Sequence, residues 1–342
     1  MRVLLDTTYA RRAPNSGTAV YLTAIQEALR RSGLVEMAAT ANRRRRLPAG
    51  GGLGSVHNLL ADQWWSMFEL PRVARTQGAD VIHHTLPALS PTASVAQVIT
   101  VHDLAFERFP DRFDRGFRTY AHLAHRAAAH RAGAVICVSH TTARDVRELW
   151  GVRADRIVVA PHGPGQQLAV VGDREPMHFL YVGDDEPRKD LGTLLAAYAR
   201  YRERGQSPLD LVLAGSVSAA GRGVSVEHQP AAARLAELYA GAAALVHTSL
   251  YEGFGLTLLE AMRAGVPVIA AQVAGAVEVC GAAARYAQPQ EAESFADAMA
   301  EVADQPRLRA ELAERGRERA NRFSWDECAR AHLEAYSLAR RR

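Results

Sequence analysis

The stretch Ser249-Leu250-Tyr251-Glu252-Gly253-Phe254-Gly255-Leu256-Thr257-Leu258-Leu259-Glu260-Ala261-Met262 sets two carboxylates across what reads as strand end, glycine-containing loop and helix. Gly253 and Gly255, on either side of Phe254, let the backbone turn tightly and let a ligand come close to it. Past them, the first amides of a helix that begins near Leu256 and Thr257 have no intrahelical acceptor and form its positive dipole end, which suits a diphosphate. Glu252 lies before that helix start and Glu260 roughly one turn inside it. Carboxylates are poor phosphate ligands and good acceptors for sugar hydroxyls. The chemistry implied is binding of a ligand with phosphate in its middle and hydroxyls at both ends. An isolated pair of glutamates at this spacing reads more simply as a favourable helix-end charge and a solvated loop charge. The glycines and the strand-loop-helix setting reverse that preference.

A second constellation, Tyr181-Val182-Gly183-Asp184-Asp185-Glu186-Pro187-Arg188-Lys189-Asp190-Leu191, has the same strand, loop and helix-start order. Gly183 ends the strand, and Arg188 and Lys189 supply adjacent cations that could offset charge building on a leaving diphosphate. The pair alone fits a solvated turn equally well. Asp184-Asp185 could suggest a metal, but no further ligands accompany them, and with a basic pair available a metal-free site is expected. A third feature is His102-Asp103, directly after the apolar run Val98-Ile99-Thr100-Val101. A lone histidine there is more often structural, but ligands of open α/β sheets bind at the carboxyl ends of strands, which makes His102 equally a candidate ligand or hydrogen-bonding group. The loop Pro14-Asn15-Ser16-Gly17-Thr18-Ala19 also opens a helix, with Gly17 the one glycine in reach of a phosphate.

Those groups need a scaffold of strands and helices. At 342 residues and 48% hydrophobic, the chain can bury two ordinary cores. Short β-branched runs at Val3 to Leu5, Val81 to His83, Val98 to Val101, Val135 to Val138 and Ile157 to Ala160 read as buried parallel strands, with helices such as Tyr21 to Arg31 and Tyr120 to Arg131 between them. A second series follows the loop Pro161 to Pro176. Its strands are Phe179 to Val182, Leu209 to Ala214, Ala244 to His247 and Val266 to Ala270; its helices are Leu191 to Arg204, Ala231 to Ala240, Leu256 to Ala264 and Glu291 to Ala303. The domains expected are 1–165 together with an amphipathic C-terminal helix, 325–342, and 176–324. Arg43 to Gly54, four arginines followed by a Gly-rich stretch, reads as a mobile loop.

Composition bounds partners and compartment. The longest apolar runs, Ala132 to Val138 and Gly265 to Ala271, fall short of a membrane span, and the N-terminus lacks the pattern of a signal peptide, so a cytoplasmic chain is expected. Cys137, Cys280 and Cys328 are odd in number and far apart, which suggests buried thiols and neither disulfides nor a zinc site. A net charge of +4 permits an anionic partner, but Arg is spread along the chain and nucleic acid is not expected. A dehydrogenase is excluded because no G-x-G-x-x-G follows the first strand. Arg43 to Arg46, with Trp64-Trp65 and Phe68 as interfacial aromatics, could touch an anionic acceptor or the inner face of a membrane peripherally, although such a charge run is usually solvated and such a Trp pair usually core.

Taken together, these residues resemble the retaining glycosyltransferases of family four, mannosyltransferase-like members of the group 1 glycosyl transferases. The likeness spans nearly the whole chain and is densest over Ala244 to Glu278, where Glu252 to Met262 looks like the E-x7-E signature and Ala264-Gly265-Val266-Pro267-Val268-Ile269-Ala270 like the strand after it. Val101-His102-Asp103-Leu104-Ala105-Phe106 with Phe109-Pro110, and Phe323-Ser324-Trp325, add to it. The resemblance implies an α/β GT-B fold of two facing Rossmann-like domains with parallel sheets, the C-terminal helix crossing back to the first. It implies a donor that is a nucleotide-diphosphate sugar, GDP-mannose or a UDP-sugar, with no permanently bound cofactor. It also implies an acceptor that is a glycan, a lipid-linked species or a small molecule, bound by the first domain. By resemblance, Glu252 would contact the donor sugar and Glu260 the ribose. Arg188 and Lys189 would hold the diphosphate with amides near Gly255 to Thr257, His102 would sit by the transferred sugar, and Gly17 near the phosphates. Three places depart from the family pattern: a first-domain glycine loop reduced to Gly17, Asp184-Asp185 after Gly183, and a short irregular stretch from Gly215 to Ala232. A noncatalytic nucleotide-sugar-binding protein and a sugar-nucleotide epimerase of the same architecture are the alternatives.

Overall fold

The computed structural model describes residues 1–8, 16–46, 53–165 and 175–342. In chain order the elements are β1 (Arg2–Asp6), α1 (Gly17–Ser32), β2 (Glu36–Thr40), α2 (Leu53–Trp64), a π-helical turn (Trp65–Glu69), α3 (Leu70–Thr76), β3 (Val81–His84), β4 (Ala96–Val101), α4 (Ala105–Arg108), α5 (Arg115–Arg131), β5 (Ala134–Cys137), α6 (His140–Trp150) and β6 (Ile157–Val159). There follow β7 (His178–Val182), α7 (Leu191–Arg204), β8 (Asp210–Ala214), β9 (Val224–Glu227), α8 (Ala232–Ala240), β10 (Ala242–His247), α9 (Leu256–Ala264), β11 (Val268–Ala271), α10 (Ala274–Cys280), β12 (Ala284–Ala287), α11 (Ala292–Asp304), α12 (Pro306–Ala320) and α13 (Trp325–Arg340). The chain divides into two compact units: Met1–Gly163 with Ser324–Arg342, and Pro164–Phe323.

Unit 1 holds a parallel six-stranded sheet in the order β2-β1-β3-β4-β5-β6. Its inner strands are near-continuous apolar runs because helices cover both faces: β3 and β5 are buried at every position. On one face, Val3, Leu5, Val81, Val98 and Ile136 pack against Tyr21 and Ile25 of α1 and Cys328 and Tyr336 of α13. On the other, Leu4 and Ile82 meet Trp65, Leu70 and Ala74, while Ile99, Val135 and Cys137 meet Ala121, Ala129 and Trp150. Unit 2 repeats the plan with the order β12-β11-β10-β7-β8-β9, also parallel, around Phe179, Leu194, Leu211, Val246 and Phe295. In each sheet the chain first builds outward to one side and then returns to the other. The resulting switch points lie between β1 and β3 and between β7 and β10.

A buried line of hydrogen bonds ties α13 to its sheet. His332 Nδ1 lies 2.7 Å from the Cys328 carbonyl and must donate to it, so its Nε2 accepts from the Tyr21 hydroxyl at 2.8 Å. Thr100 Oγ1 lies 3.1 Å from Tyr21 Oη and 2.8 Å from His83 Nε2, and His83 Nδ1 lies 2.9 Å from the Tyr336 hydroxyl. One assignment satisfies every group. Tyr336 donates to His83, His83 to Thr100, Thr100 to Tyr21, Tyr21 to His332, and His332 to the Cys328 carbonyl.

Several element readings need correction. The stretch from Gly215 to Ala232 contains β9, paired in register with β8, and β2 and β12 are strands that the apolar runs did not signal. The strand placed at Val266 to Ala270 starts at Val268. Of the segment read as a loop from Arg43 to Gly54, residues 47–52 lie outside the described residues, and Leu53-Gly54 already belong to α2. Pro14 and Asn15, and residues 166–174 of the loop before β7, also lie outside them.

Candidate active site

Unit 2 brings a group of charged side chains together at its switch point. Arg188 and Lys189 form a 3₁₀ turn after β7, and His247 closes the neighbouring strand β10, five residues before Glu252 in the following loop. Backbone bonds strap the two loops together: the Leu250 amide donates to the Arg188 carbonyl at 2.8 Å and Thr248 Oγ1 to the Lys189 carbonyl at 2.8 Å. Gly183 has no side chain where the stem of Lys189 passes; a Cβ there would lie 3.1 Å from Lys189 Cδ and Nζ.

Glu252 is buried, 8% exposed, and its Oε1 is the focus of the cluster. Arg188 Nη1 lies 3.1 Å away, His247 Nε2 3.2 Å and Lys189 Nζ 3.6 Å. These are ion-pair distances without hydrogen-bond alignment, so among the described residues Oε1 has electrostatic partners but no in-line donor. Burial pushes the Glu252 carboxyl up, yet Lys189, Arg188 and His247 outweigh it and hold the group well below the usual carboxylate range. A buried, ionised acceptor without an aligned donor is suited to a ligand hydroxyl. Arg188 is further engaged by Glu186 at 2.8 Å and by the Tyr251 carbonyl at 3.3 Å.

Glu260 sits on α9, buried at 6% exposure, and accepts from the Tyr239 hydroxyl at 3.4 Å. Burial and the nearby Glu260 raise the Tyr239 phenol well above its ordinary value, so it stays a donor. Gly255 is the N-cap of α9 at φ +94°, a left-handed position, and among the described residues no side chain caps the amides of Leu256 and Thr257 behind it. Phe254 is buried against Phe323, which fixes the loop from below. Asp184 and Asp185 are exposed, and Asp184 Oδ1 accepts from the Ser216 amide at 2.8 Å.

Unit 1 carries the remaining candidates. His102 follows β4, and its Nε2 donates to the Thr85 carbonyl at 3.1 Å, leaving Nδ1 as the acceptor. Burial lowers its pKa to about 4 against the opposing effect of that carbonyl, so the ring is neutral at pH 7. Its edge packs on Tyr21, with centroids 5.0 Å apart. Gly17 is the first residue of α1, after the N-cap Ser16. The unit 2 candidates Gly183, Arg188, Lys189, Glu252 to Thr257 and Glu260 therefore lie on two adjacent strand ends and one helix start, while His102 and Gly17 belong to unit 1. The sequence reading missed His247. Its signal was the one used for His102, a histidine at the carboxyl end of an apolar strand.

Residues 15–164 match Glycosyltransferase Family 4, and residues 170–319 match Glycosyl transferases group 1. O-antigen chain mannosyltransferase B of Escherichia coli is 28% identical, covering 76% of this chain and 74% of its own length. A D-inositol 3-phosphate glycosyltransferase of Kribbella flavida is 26% identical, covering 83% and 72%. A sucrose-phosphate synthase of Thermosynechococcus elongatus superposes with a TM-score of 0.79 at 21% identity, over 98% of each chain. Anabaena HepE in complex with UDP and glucose superposes with a TM-score of 0.73 at 19% identity, over 98% of this chain and 99% of that one. The sheets, their switch points and these likenesses define a glycosyltransferase enzyme of the GT-B fold. The chain belongs to the group 1, family four glycosyltransferases.

Proposed function

We propose that this enzyme moves a hexose from a nucleotide-diphosphate sugar to a hydroxyl acceptor, with retention of anomeric configuration and without a metal. The observation that carries the reading is the cluster at the unit 2 switch point, where Glu252 Oε1 is ringed by Arg188, Lys189 and His247. Arg188, Lys189 and the Leu256 and Thr257 amides hold the diphosphate, Glu252 accepts from hydroxyls of the donor sugar, and Glu260 takes the ribose. In unit 1, His102 and Gly17 are the candidates the family likeness offers for the transferred sugar and the phosphates, and the acceptor binds that unit. The bond from the anomeric carbon to the phosphate oxygen breaks while the acceptor oxygen bonds to the same face. The acceptor proton passes to the departing phosphate oxygen, so no carboxylate nucleophile is needed, and the cations stabilise the charge that builds on the leaving group.

Mannose as the sugar is supported by the name of the E. coli relative, and UDP as the carrier by the bound state of HepE, so GDP-mannose and UDP-sugars are the donors to compare. The acceptor is a glycan, a lipid-linked species or a small molecule; the name of the O-antigen chain mannosyltransferase supports the first and that of the D-inositol 3-phosphate glycosyltransferase the last. We propose a cytoplasmic location with peripheral contact at the inner face of the membrane; no described helix is long and apolar enough to cross it. A thermal-shift screen of nucleotide sugars tests the donor reading, since a donor at a hundred times its dissociation constant adds about 2.7 kcal/mol of apparent stability. A flat response to every nucleotide sinks it. Product anomeric configuration by NMR tests retention. Donor binding without transfer would indicate a noncatalytic binder, and nucleotide release without an acceptor product an epimerase.

A further inference from the structure

The basic and aromatic residues of unit 1 sort into an arrangement that the sequence did not reveal. The rod formed by α2, the π-helical turn and α3 changes face at the turn. The Leu70 amide donates to the Trp65 carbonyl in the five-residue step of a π-helix, which turns Trp65 inward onto Leu4 and Ile82 while Trp64 stays outside. Trp65 is 7% exposed and its indole N–H donates to Asp6 Oδ2 at 2.9 Å, so it is core. Leu60, Trp64 and Phe68 follow at helical spacing and are 65%, 50% and 52% exposed. Soluble surfaces carry single exposed apolar residues, but not usually a stripe of them along one rod.

The charge around this stripe is net positive. Residues 43–76 contain six arginines and, as acids, only Asp62 and Glu69. Asp62 is taken by Arg45 and Glu69 by Arg44 at 2.7 Å. Among the described residues, Arg43, Arg46, Arg72 and Arg75 enter no ion pair. Arg44, Arg46, His57, Leu60, Ala61 and Trp64 line a pocket of about 410 Å³.

A second helix has the same character. α5 carries four arginines and no acid, and its Phe117, Tyr120 and Leu123 are 48%, 47% and 64% exposed. Outside these two segments the chain is net acidic. Sheet register puts both helices on one side: Leu4 pairs with Ile82, Ile82 with Gln97, and Ile99, two residues on, with Val135. The core beneath the α2–α3 rod contains Leu4 and Ile82, and the core beneath α5 contains Ile99 and Val135.

We propose that this face of unit 1 is a docking surface for an anionic phospholipid membrane, with the α2–α3 rod and α5 as two separate insertion points. Two exposed apolar stripes rimmed by arginine on one side of a sheet suit a broad negative plane with an apolar interior. A second copy of the chain is disfavoured because the same cationic face would meet itself. The pocket offers Arg46, which has no acidic partner among the described residues, to a headgroup phosphate and its Leu60 and Trp64 to acyl chains. This deepens the proposed membrane contact and is independent of the transfer reaction, because it is read without donor or acceptor.

The test is co-sedimentation of the full chain with vesicles of phosphatidylcholine alone and of phosphatidylcholine with phosphatidylglycerol. Binding is expected only with the anionic vesicles and should weaken as salt rises. Arg43→Ser with Arg46→Ser should lower partitioning by roughly thirtyfold, taking about fivefold per arginine. Leu60→Ser with Trp64→Ser, and separately Phe117→Ser with Leu123→Ser, should each lower it by about tenfold or more. As a measurement free of folding effects, brominated phosphatidylglycerol should quench the wild-type fluorescence that Trp64→Phe removes. Equal binding to both vesicle types, no binding to either, binding undiminished in the three double variants, or capture by polyglutamate while vesicles are ignored would overturn the proposal.

Discussion

Glu252 Oε1 lies 3.1 Å from Arg188 Nη1, 3.6 Å from Lys189 Nζ and 3.2 Å from His247 Nε2, so it faces both cations proposed to hold the donor's phosphates. Substituting it therefore separates two quantities. Glu252→Ala removes an acceptor for donor-sugar hydroxyls but also releases both cations and removes a charge that repels phosphate. Transfer efficiency should fall about ten- to a hundredfold, the range of one charge-assisted hydrogen bond, while a bare nucleoside diphosphate binds more tightly. Titration calorimetry with UDP and GDP beside kcat/KM reads the two, and equal weakening of both would contradict the assigned roles. Lys189→Ala should do the opposite to the nucleotide, weakening it by about tenfold or more. The pair Arg188-Lys189 and the two glutamates could be picked out of the sequence as candidates because they stand near glycines at strand ends. What the sequence could not give was that the cations and Glu252 share a single oxygen. That depends on β7 and β10 being neighbours although about sixty residues lie between them.

At the scale of elements, α9 presents its amides only because Gly255 holds φ +94°. Gly255→Ala would place a Cβ 2.9 Å from Leu258 Cδ1 in a backbone region costing a side chain on the order of 1–3 kcal/mol. The expected result is a melting temperature lowered by a few degrees, at about 2–4 °C per kcal/mol, together with weaker nucleotide binding. Scanning calorimetry with and without UDP checks it, and an unchanged nucleotide affinity would show that the amides do not hold phosphate. Elements were legible according to burial. β1, β3, β4, β5, β7, β8 and β10 are inner strands with apolar runs and were read within a residue or two. The unread strands β2, β9 and β12 are all sheet edges, with sequences such as Glu36-Met37-Ala38-Ala39-Thr40 and Val224-Ser225-Val226-Glu227. An edge strand is half exposed, so its composition need not differ from a loop, and neighbour pairing decides it. The π-helical turn was equally hidden, since Trp64 and Trp65 are identical in type and opposite in burial.

The two units should respond differently to acid. In unit 1, burial holds His83 and His162 well below the ordinary histidine range, lowers His102, His125 and His332 to about 4, and lowers His84. In unit 2, burial lowers His178. Each such ring is neutral when folded and takes a proton near pH 6.5 when unfolded. Below that pH the unfolded chain binds more protons, so stability is full above about 6.5 and is lost as pH falls toward the folded value. The buried His332 alone accounts for up to about 3 kcal/mol by pH 4. Shifted carboxyls do not confuse this window. Glu252, Glu301 and Asp155 are all held low, so their contributions begin to be lost only below about pH 4.5. Protonating His83 or His332 also turns an accepting nitrogen into a donor facing the hydroxyl of Tyr336 or Tyr21, which breaks the line of bonds holding α13. The four tryptophans, Trp64, Trp65, Trp150 and Trp325, all belong to unit 1, so indole fluorescence follows that unit while far-ultraviolet circular dichroism follows both. Between pH 6.5 and 4.5 the fluorescence-detected thermal midpoint should fall ahead of the dichroism-detected one. In His332→Leu the stability at pH 7.5 should be lower, but its pH dependence across the window should be shallower by up to about 1.4 kcal/mol per pH unit, one proton's worth. Coincident transitions, or an undiminished slope in that variant, would mean that the buried histidines do not govern acid stability.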